Sequence, residues 1–222
     1  RAPAPRLAAL HLMLGTALLR SGEEAAGERS LRQALELNPG YPKAHLNLGM
    51  HGLLHRRLAE AERHFRLALK GDPAAEPAWA GLARVLSERS QLAAAGSAAR
   101  RAVALAPASA DALTACGQAV FALGKVAAAV RAARRALAAA ASPVALQSLM
   151  FWLNYDPEAE SEEVFAQHRR WAALQNAPDP RPHDNAVDAE RRLRVGYLWA
   201  DLYDHPVGRT VVGLIERHDR AR

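Results

Sequence analysis

Small and large apolar residues alternate along this chain at places that recur. A leucine stands in LMLG at Leu14, in LNLG at Leu48 and in GLAR at Leu82, with Cys116 at the fourth equivalent position. The residue after it is small each time: Gly15, Gly49, Ala83 and Gly117. A large apolar residue follows in the first two units, Leu31 and Phe65, and alanine takes its place in the next two, at Ala99 and Ala133. Alanines open the phrases ALELNPG, ALKGDPA, AVALAPA and RRALAAA at Ala34, Ala68, Ala102 and Ala136, and prolines stand near the end of the first three at Pro39, Pro73 and Pro107. The step is 34 residues throughout. Such a period, with apolar residues at helical spacing, predicts two antiparallel helices per unit. The small residues let the two helices approach, and the large ones fill the gap to the next unit. Where alanine replaces the large residue, the packing is expected to thin.

After Pro143 the apolar pattern of the repeat fails, although helical spacing continues through Val144, Leu146, Leu149, Met150 and Leu153. A second helix is expected after NYDPEAE, with Ser161 as its cap, Glu162 and Glu163 at the positive end of its dipole, and Val164, Phe165, His168 and Trp171 on a buried face. Pro178, Pro180 and Pro182 then alternate with other residues, which forbids helix and favours an extended linker. Beyond it the pattern changes again. Val195, Tyr197 and Leu198 form a short β-prone run, Asp204-His205-Pro206 reads as a turn, and helical spacing resumes at Val207. The expected organisation is therefore four repeats over Ala8–Pro143, a helical connector over 144–175, a Pro-rich linker over 176–192, and a strand-turn-helix unit over 193–222.

Composition narrows the class. Half of the 222 residues are hydrophobic but only 5% are aromatic, so an all-α body packed by small and medium side chains is expected. The net charge of +6 could attract nucleic acid. Yet the basic pairs Arg56-Arg57, Arg100-Arg101 and Arg134-Arg135 fall on outer helix faces without interleaved aromatics to stack bases, so no nucleic acid partner is expected. Cys116 is the only cysteine, which rules out an intrachain disulfide and fits a reduced, cytoplasmic setting. No apolar run reaches the roughly 18 residues needed to span a bilayer, and no membrane partner is expected. The chain opens on Arg1 rather than Met, which reads as a fragment of a longer protein. His51 and His55 are spaced like metal ligands on one helix face, but a third and fourth ligand are missing, so no metal is expected. His45 shares its repeat position with His11, Trp79 and Leu113, which assigns it to packing.

Over Ala8–Pro143 the chain resembles the tetratricopeptide repeat family. The resemblance implies a right-handed superhelix whose groove, lined by the first helix of each repeat, holds an extended peptide. In this register the groove candidates are Met13, Thr16, Asn47, Met50, Gly81, Arg84, Ala115 and Gln118.

A second resemblance rests on WLNYDPEAESEEVFAQHRRWA together with LRVGYLWADLYDHPVGRTVVGLIERHDR. These segments are similar to the junction region of bacterial O-linked GlcNAc transferases and SPINDLY-type proteins, in which a repeat superhelix precedes a two-lobed, Rossmann-like glycosyltransferase. The resemblance implies that 193–222 is the first βα unit of the amino-terminal catalytic lobe. It places His205 on the family's active-site histidine, with Asp201 as a brace of the turn. It also implies a nucleotide diphosphate sugar as donor for the parent enzyme, UDP-GlcNAc being the candidate, and Ser or Thr of proteins as acceptor. This chain alone lacks a second lobe and is expected to hold no cofactor and to be inactive. The competing expectation is a non-catalytic scaffold that binds protein partners. The asparagine that recurs along the family's groove is matched only by Asn47; Met13, Gly81 and Ala115 stand at its other places.

Overall fold

The computed structural model describes residues 4–174 together with Val211, Val212 and Arg217. The chain divides into a unit of residues 1–177 and one of residues 178–222. Of the second unit only those last three residues are described, Val211 and Val212 being helical. The expected strand, Asp201 and His205 lie outside the described residues.

The described part of the first unit is wholly helical, with ten helices: α1 (Ala4–Arg20), α2 (Glu24–Leu37), α3 (Pro42–Leu54), α4 (Leu58–Gly71), α5 (Glu76–Glu88), α6 (Leu92–Leu105), α7 (Ala110–Ala122), α8 (Val126–Ala139), α9 (Pro143–Leu153) and α10 (Ser161–Leu174). Each odd-numbered helix packs on the even-numbered helix that follows, and consecutive pairs stack through α3 on α5, α5 on α7 and α7 on α9.

The turn within each of the first four pairs shows the period in the backbone. Gly22, Arg56, Ser90 and Gly124, each 34 residues from the last, all have positive φ. In each case the next amide donates back across the turn to a carbonyl of the first helix: Glu23 N to Leu18 O, Arg57 N to Gly52 O, Gln91 N to Leu86 O and Lys125 N to Val120 O, at 2.8–3.0 Å. This left-handed closure satisfies a carbonyl that the helix end would otherwise leave open. The helices that begin the pairs start on matched signals. Pro42 and Pro143 occupy first-turn positions where no amide is needed. Ser109 and Ser142 accept the amides of Ala112 and Ala145 at 3.2 Å.

Alanine dominates the core, and the few large side chains sit where glycine makes room. Phe65 of α4 is fully buried. A Cβ at Gly49 would lie 2.8 Å from its ring, and one at Gly81 would come closer still. Phe65 thus fills space in its own repeat and in the next. Leu31 plays the same part against Gly15. Its later counterparts are only Ala99 and Ala133, and Trp152 of α9 compensates: its ring comes within 2.5 Å of a Cβ built on Gly117 and packs with Ala133. Cys116, the counterpart of the buried Leu48 and Leu82, is only partly buried. Burial pushes its thiol pKa up, which weakens it as a nucleophile.

The structure departs from the sequence expectations at both ends. The apolar pattern breaks at Pro143, but the helical period does not: α9 and α10 form a fifth antiparallel pair one step beyond α7 and α8. The pattern is lost because Phe151 stands where Gly117 would predict a small residue, and because residues 154–160 replace the short left-handed turn. α10 has no buried residue. Phe165 is 63% exposed and His168 is exposed, which corrects their place on a buried face, while Val164 and Trp171 are half-buried. Among the described residues α10 packs on α9, and Arg134 of α8 reaches its Glu163. Ser161 opens α10 rather than capping it, and the Glu160 carbonyl accepts the Val164 amide. At the other end Leu14 is 50% exposed, whereas its counterpart Leu48 is buried by α2; among the described residues no helix pair precedes α1.

Candidate functional site

The first helices of the first three pairs build one cleft. Thr16, Leu19 and Arg20 come from α1, Asn47, Met50, His51, Leu53 and Leu54 from α3, and Arg84 from α5, with Glu24 of α2 at its edge; the space measures about 400 Å³. Thr16, Met50 and Arg84 are successive 34-residue counterparts, so the repeat itself sets them in a row.

One hydrogen-bond chain orients the polar part. The Thr16 hydroxyl donates to Leu12 O at 2.7 Å, and Asn47 Nδ2 donates to Thr16 Oγ1 at 2.7 Å. Because the hydroxyl proton is already committed, the Asn47 amide nitrogen must face Thr16. The Asn47 amide oxygen has no protein partner among the described residues and is left as an acceptor. Met50 and Leu54 are exposed apolar groups beside it, and Arg20 and Arg84 bring positive charge.

Not every groove candidate joins this cleft. Met13 is 69% exposed on α1 and Gln118 partly buried on α7, and neither lines it. Gly81 and Ala115 are buried, which corrects their assignment to a groove surface. At Gly81 the cause is Phe65, whose ring lies where a side chain would stand. Leu19, Arg20, Leu53 and Leu54 were missed because the register was followed only into the middle of each helix. Carrying it one turn further would have reached them, since Leu53 and Leu54 are the counterparts of Leu19 and Arg20.

His51 and His55 each face a carboxylate of α2. His51 Nε2 lies 3.3 Å from Glu28 and His55 Nε2 lies 3.2 Å from Glu24, the two rings meeting edge to face. Among the described residues no group of three or more His, Cys, Asp or Glu could hold a metal. Glu28 also takes both guanidinium nitrogens of Arg57 at 3.1 and 3.2 Å, and that hydrogen-bonded pair holds its carboxyl below the usual range despite partial burial. His45 and Trp79, at one repeat position, both bond through a ring nitrogen to the carbonyl of the proline six residues earlier, Pro39 and Pro73, at 2.9 Å. No helix among the described residues is long and apolar enough to cross a membrane.

Paired helices of this period, closed by left-handed turns and stacked through small residues, agree with the sequence comparison: residues 12–76 match the tetratricopeptide repeat family model. This stretch is tetratricopeptide repeat. The helix-pair array is similar to a thermophilic tetratricopeptide repeat protein of Thermus thermophilus, with a TM-score of 0.66 and 21% identity over 78% of this chain and 92% of that one. It is also similar to MamA of Desulfovibrio magneticus RS-1, with a TM-score of 0.61 and 22% identity over 77% and 97%. At these identities the likeness is one of fold. A variant of the Thermobaculum terrenum O-GlcNAc transferase matches with a TM-score of 0.67 and 28% identity over 81% of this chain, which spans 35% of that protein. Among curated proteins no sequence match was found.

Proposed function

We propose that the tetratricopeptide cleft of α1, α3 and α5 holds an extended segment of a partner protein, and that the chain is the recruiting region of a protein O-glycosyltransferase. The observation that carries the first part is the oriented Asn47 amide, whose open oxygen can accept a peptide N–H beside the apolar Met50 and Leu54. An acidic side chain on the same segment would meet Arg84 or Arg20. The similarity to the O-GlcNAc transferase over 81% of this chain supports the second part, as does the order of motifs running to residue 222.

In this reading residues 193–222 begin the catalytic lobe of the parent protein. His205 takes the proton of an acceptor Ser or Thr hydroxyl as its oxygen attacks the sugar carbon, and the nucleotide diphosphate leaves. Asp201 braces the turn that carries it. The donor belongs to the whole enzyme, with UDP-GlcNAc as candidate. A scaffold without catalysis would use the same cleft, so the two readings differ only in turnover.

Peptide-array binding by the 222-residue chain tests the cleft. Asn47→Ala should weaken the selected peptides by roughly 5- to 10-fold, the cost of about one hydrogen bond. In the parent protein, His205→Ala should lower sugar transfer by roughly 10²- to 10⁴-fold with folding unchanged. Undiminished transfer by that variant would remove His205 from the chemistry, and a parent protein with no transfer would leave the scaffold.

A further inference from the structure

One ladder of side chains runs along the second helices of the pairs, away from the first helices that build the cleft. Arg32, Arg66, Arg100 and Arg134 occupy the same repeat position, one on each of α2, α4, α6 and α8. At its two ends the ladder also reaches forward to the opening turn of the next even-numbered helix. Arg32 bonds Glu28 on its own helix at 2.5 Å and lies 3.5 Å from Glu60 at the start of α4. Arg134 grips Glu163 at the start of α10 with two nitrogens, at 2.7 to 3.2 Å.

In the middle these bridges are missing their acid. The positions equivalent to Glu60 are Ala94 on α6 and Ala128 on α8. Arg66, like Arg32, bonds the glutamate four residues back, Glu62, at 2.7 Å, and among the described residues Arg100 reaches only the Ser97 hydroxyl, at 3.2 Å. α6 and α8 contain no acidic residue, while Arg101, Arg131 and Arg135 add to the exposed positive charge. Among the described residues Arg100 therefore stands without a carboxylate, and alanine occupies the position equivalent to Glu60 that it faces.

We propose that the outer face of α6 and α8 binds an acidic segment of a partner protein, whose carboxylates take at Arg100 the place that Glu163 holds at Arg134. The ladder's own ligands mark the chemistry, since Arg134 is satisfied across repeats by a carboxylate held in the guanidinium fork. α6 and α8 carry no aromatic residue to stack a base or enter a bilayer interface. The small side chains of Ala94 and Ala128 leave the approach to the arginines open. This surface is independent of the cleft, which takes no residue from α4, α6 or α8.

The test uses the full chain and a labelled poly-glutamate peptide at about 0.15 M salt, with duplex DNA and phosphatidylserine vesicles as parallel probes. The peptide should bind with a dissociation constant of roughly 1–100 μM, more tightly than either other probe. The double variant Ala94→Glu with Ala128→Glu supplies the missing partners from within. It should keep its helical circular dichroism and lose the peptide by about tenfold or more, whereas Asn47→Ala should bind it normally. Tighter binding of DNA or vesicles, undiminished binding by the double variant, loss of binding in Asn47→Ala, or no peptide binding at all would overturn the assignment.

Discussion

His45 Nδ1 lies 3.0 Å from His64 Nδ1, with both rings buried between α3 and α4. The other nitrogen of His45 faces the Pro39 carbonyl at 2.9 Å, which can only accept, so Nε2 carries the proton and Nδ1 is the acceptor. His64 must then donate from Nδ1, and a neutral pair has one proton between the rings. Protonating both would set two buried cations together. Burial foremost, then His45 and Arg63, push the His64 pKa down to about 4; burial, partly offset by the Pro39 bond, also lowers that of His45. Arg32 adds to the positive surroundings, and Glu60, 3.8 Å from His64 Nε2, opposes them.

Acid should therefore weaken the second repeat. Well above pH 6.5 both folded and unfolded histidines are neutral and the pair costs nothing. Between 6.5 and about 4 the unfolded chain takes up protons that the folded His64 refuses, so stability is lost as pH falls through that window. Unfolding free energies from urea titrations at pH 7.5 and 5 should differ by on the order of 2 kcal/mol. In His64→Gln, whose amide can donate to His45, the difference should shrink clearly; an equal difference in both proteins would place the acid sensitivity elsewhere.

Phe65→Ala should cost about 3–5 kcal/mol, because its ring fills space against Gly49 and Gly81 in two repeats at once. Gly81→Val should also destabilise, by about 1–3 kcal/mol, through overpacking against that ring. Thermal unfolding monitored by circular dichroism measures both. A shift within error for Phe65→Ala would contradict the packing described.

The four turns with positive φ make an internal comparison. Ser90 pays a backbone cost that Gly22 and Gly124 avoid. Ser90→Gly should raise stability by roughly 1 kcal/mol, and Gly124→Ala should lower it by a similar amount. Denaturant titration of the two variants should move the midpoint in opposite directions.

Much of this architecture was legible because it repeats. The small positions at Gly15, Gly49 and Gly117 and the large one at Phe65 announced close helix packing before any coordinate. The fifth pair was not legible, since Phe151 and the longer connection erased its signature while Trp152, packed on Gly117, preserved its geometry. The exposure of Phe165 could not be read from helical spacing, which marks an apolar face but not whether another element covers it. At the cleft, repeat register placed Thr16, Asn47, Met50 and Arg84, but it also nominated Gly81 and Ala115. Register reports which side of a helix a residue occupies, and a neighbour such as Phe65 decides whether that side is open.

The same reasoning makes Trp152 the anchor of α9 and α10. Trp152→Ala removes the ring that packs on Gly117 and Ala133, and should cost about 3–5 kcal/mol locally. Limited proteolysis should then cut within residues 154–160 faster than in the parent chain while α1 to α6 stay resistant. Unchanged cleavage there would mean that the fifth pair docks by other contacts.

Amide hydrogen exchange with and without a peptide selected on arrays tests the central claim, that the repeats recruit an extended protein segment in the cleft around Asn47. Bound peptide should protect amides of α1, α3 and the start of the α3–α4 turn near Leu54, and that protection should be lost in Asn47→Ala at the same peptide concentration. Protection confined to α6, α8 or α10, with the α1–α3 amides unchanged, would contradict it.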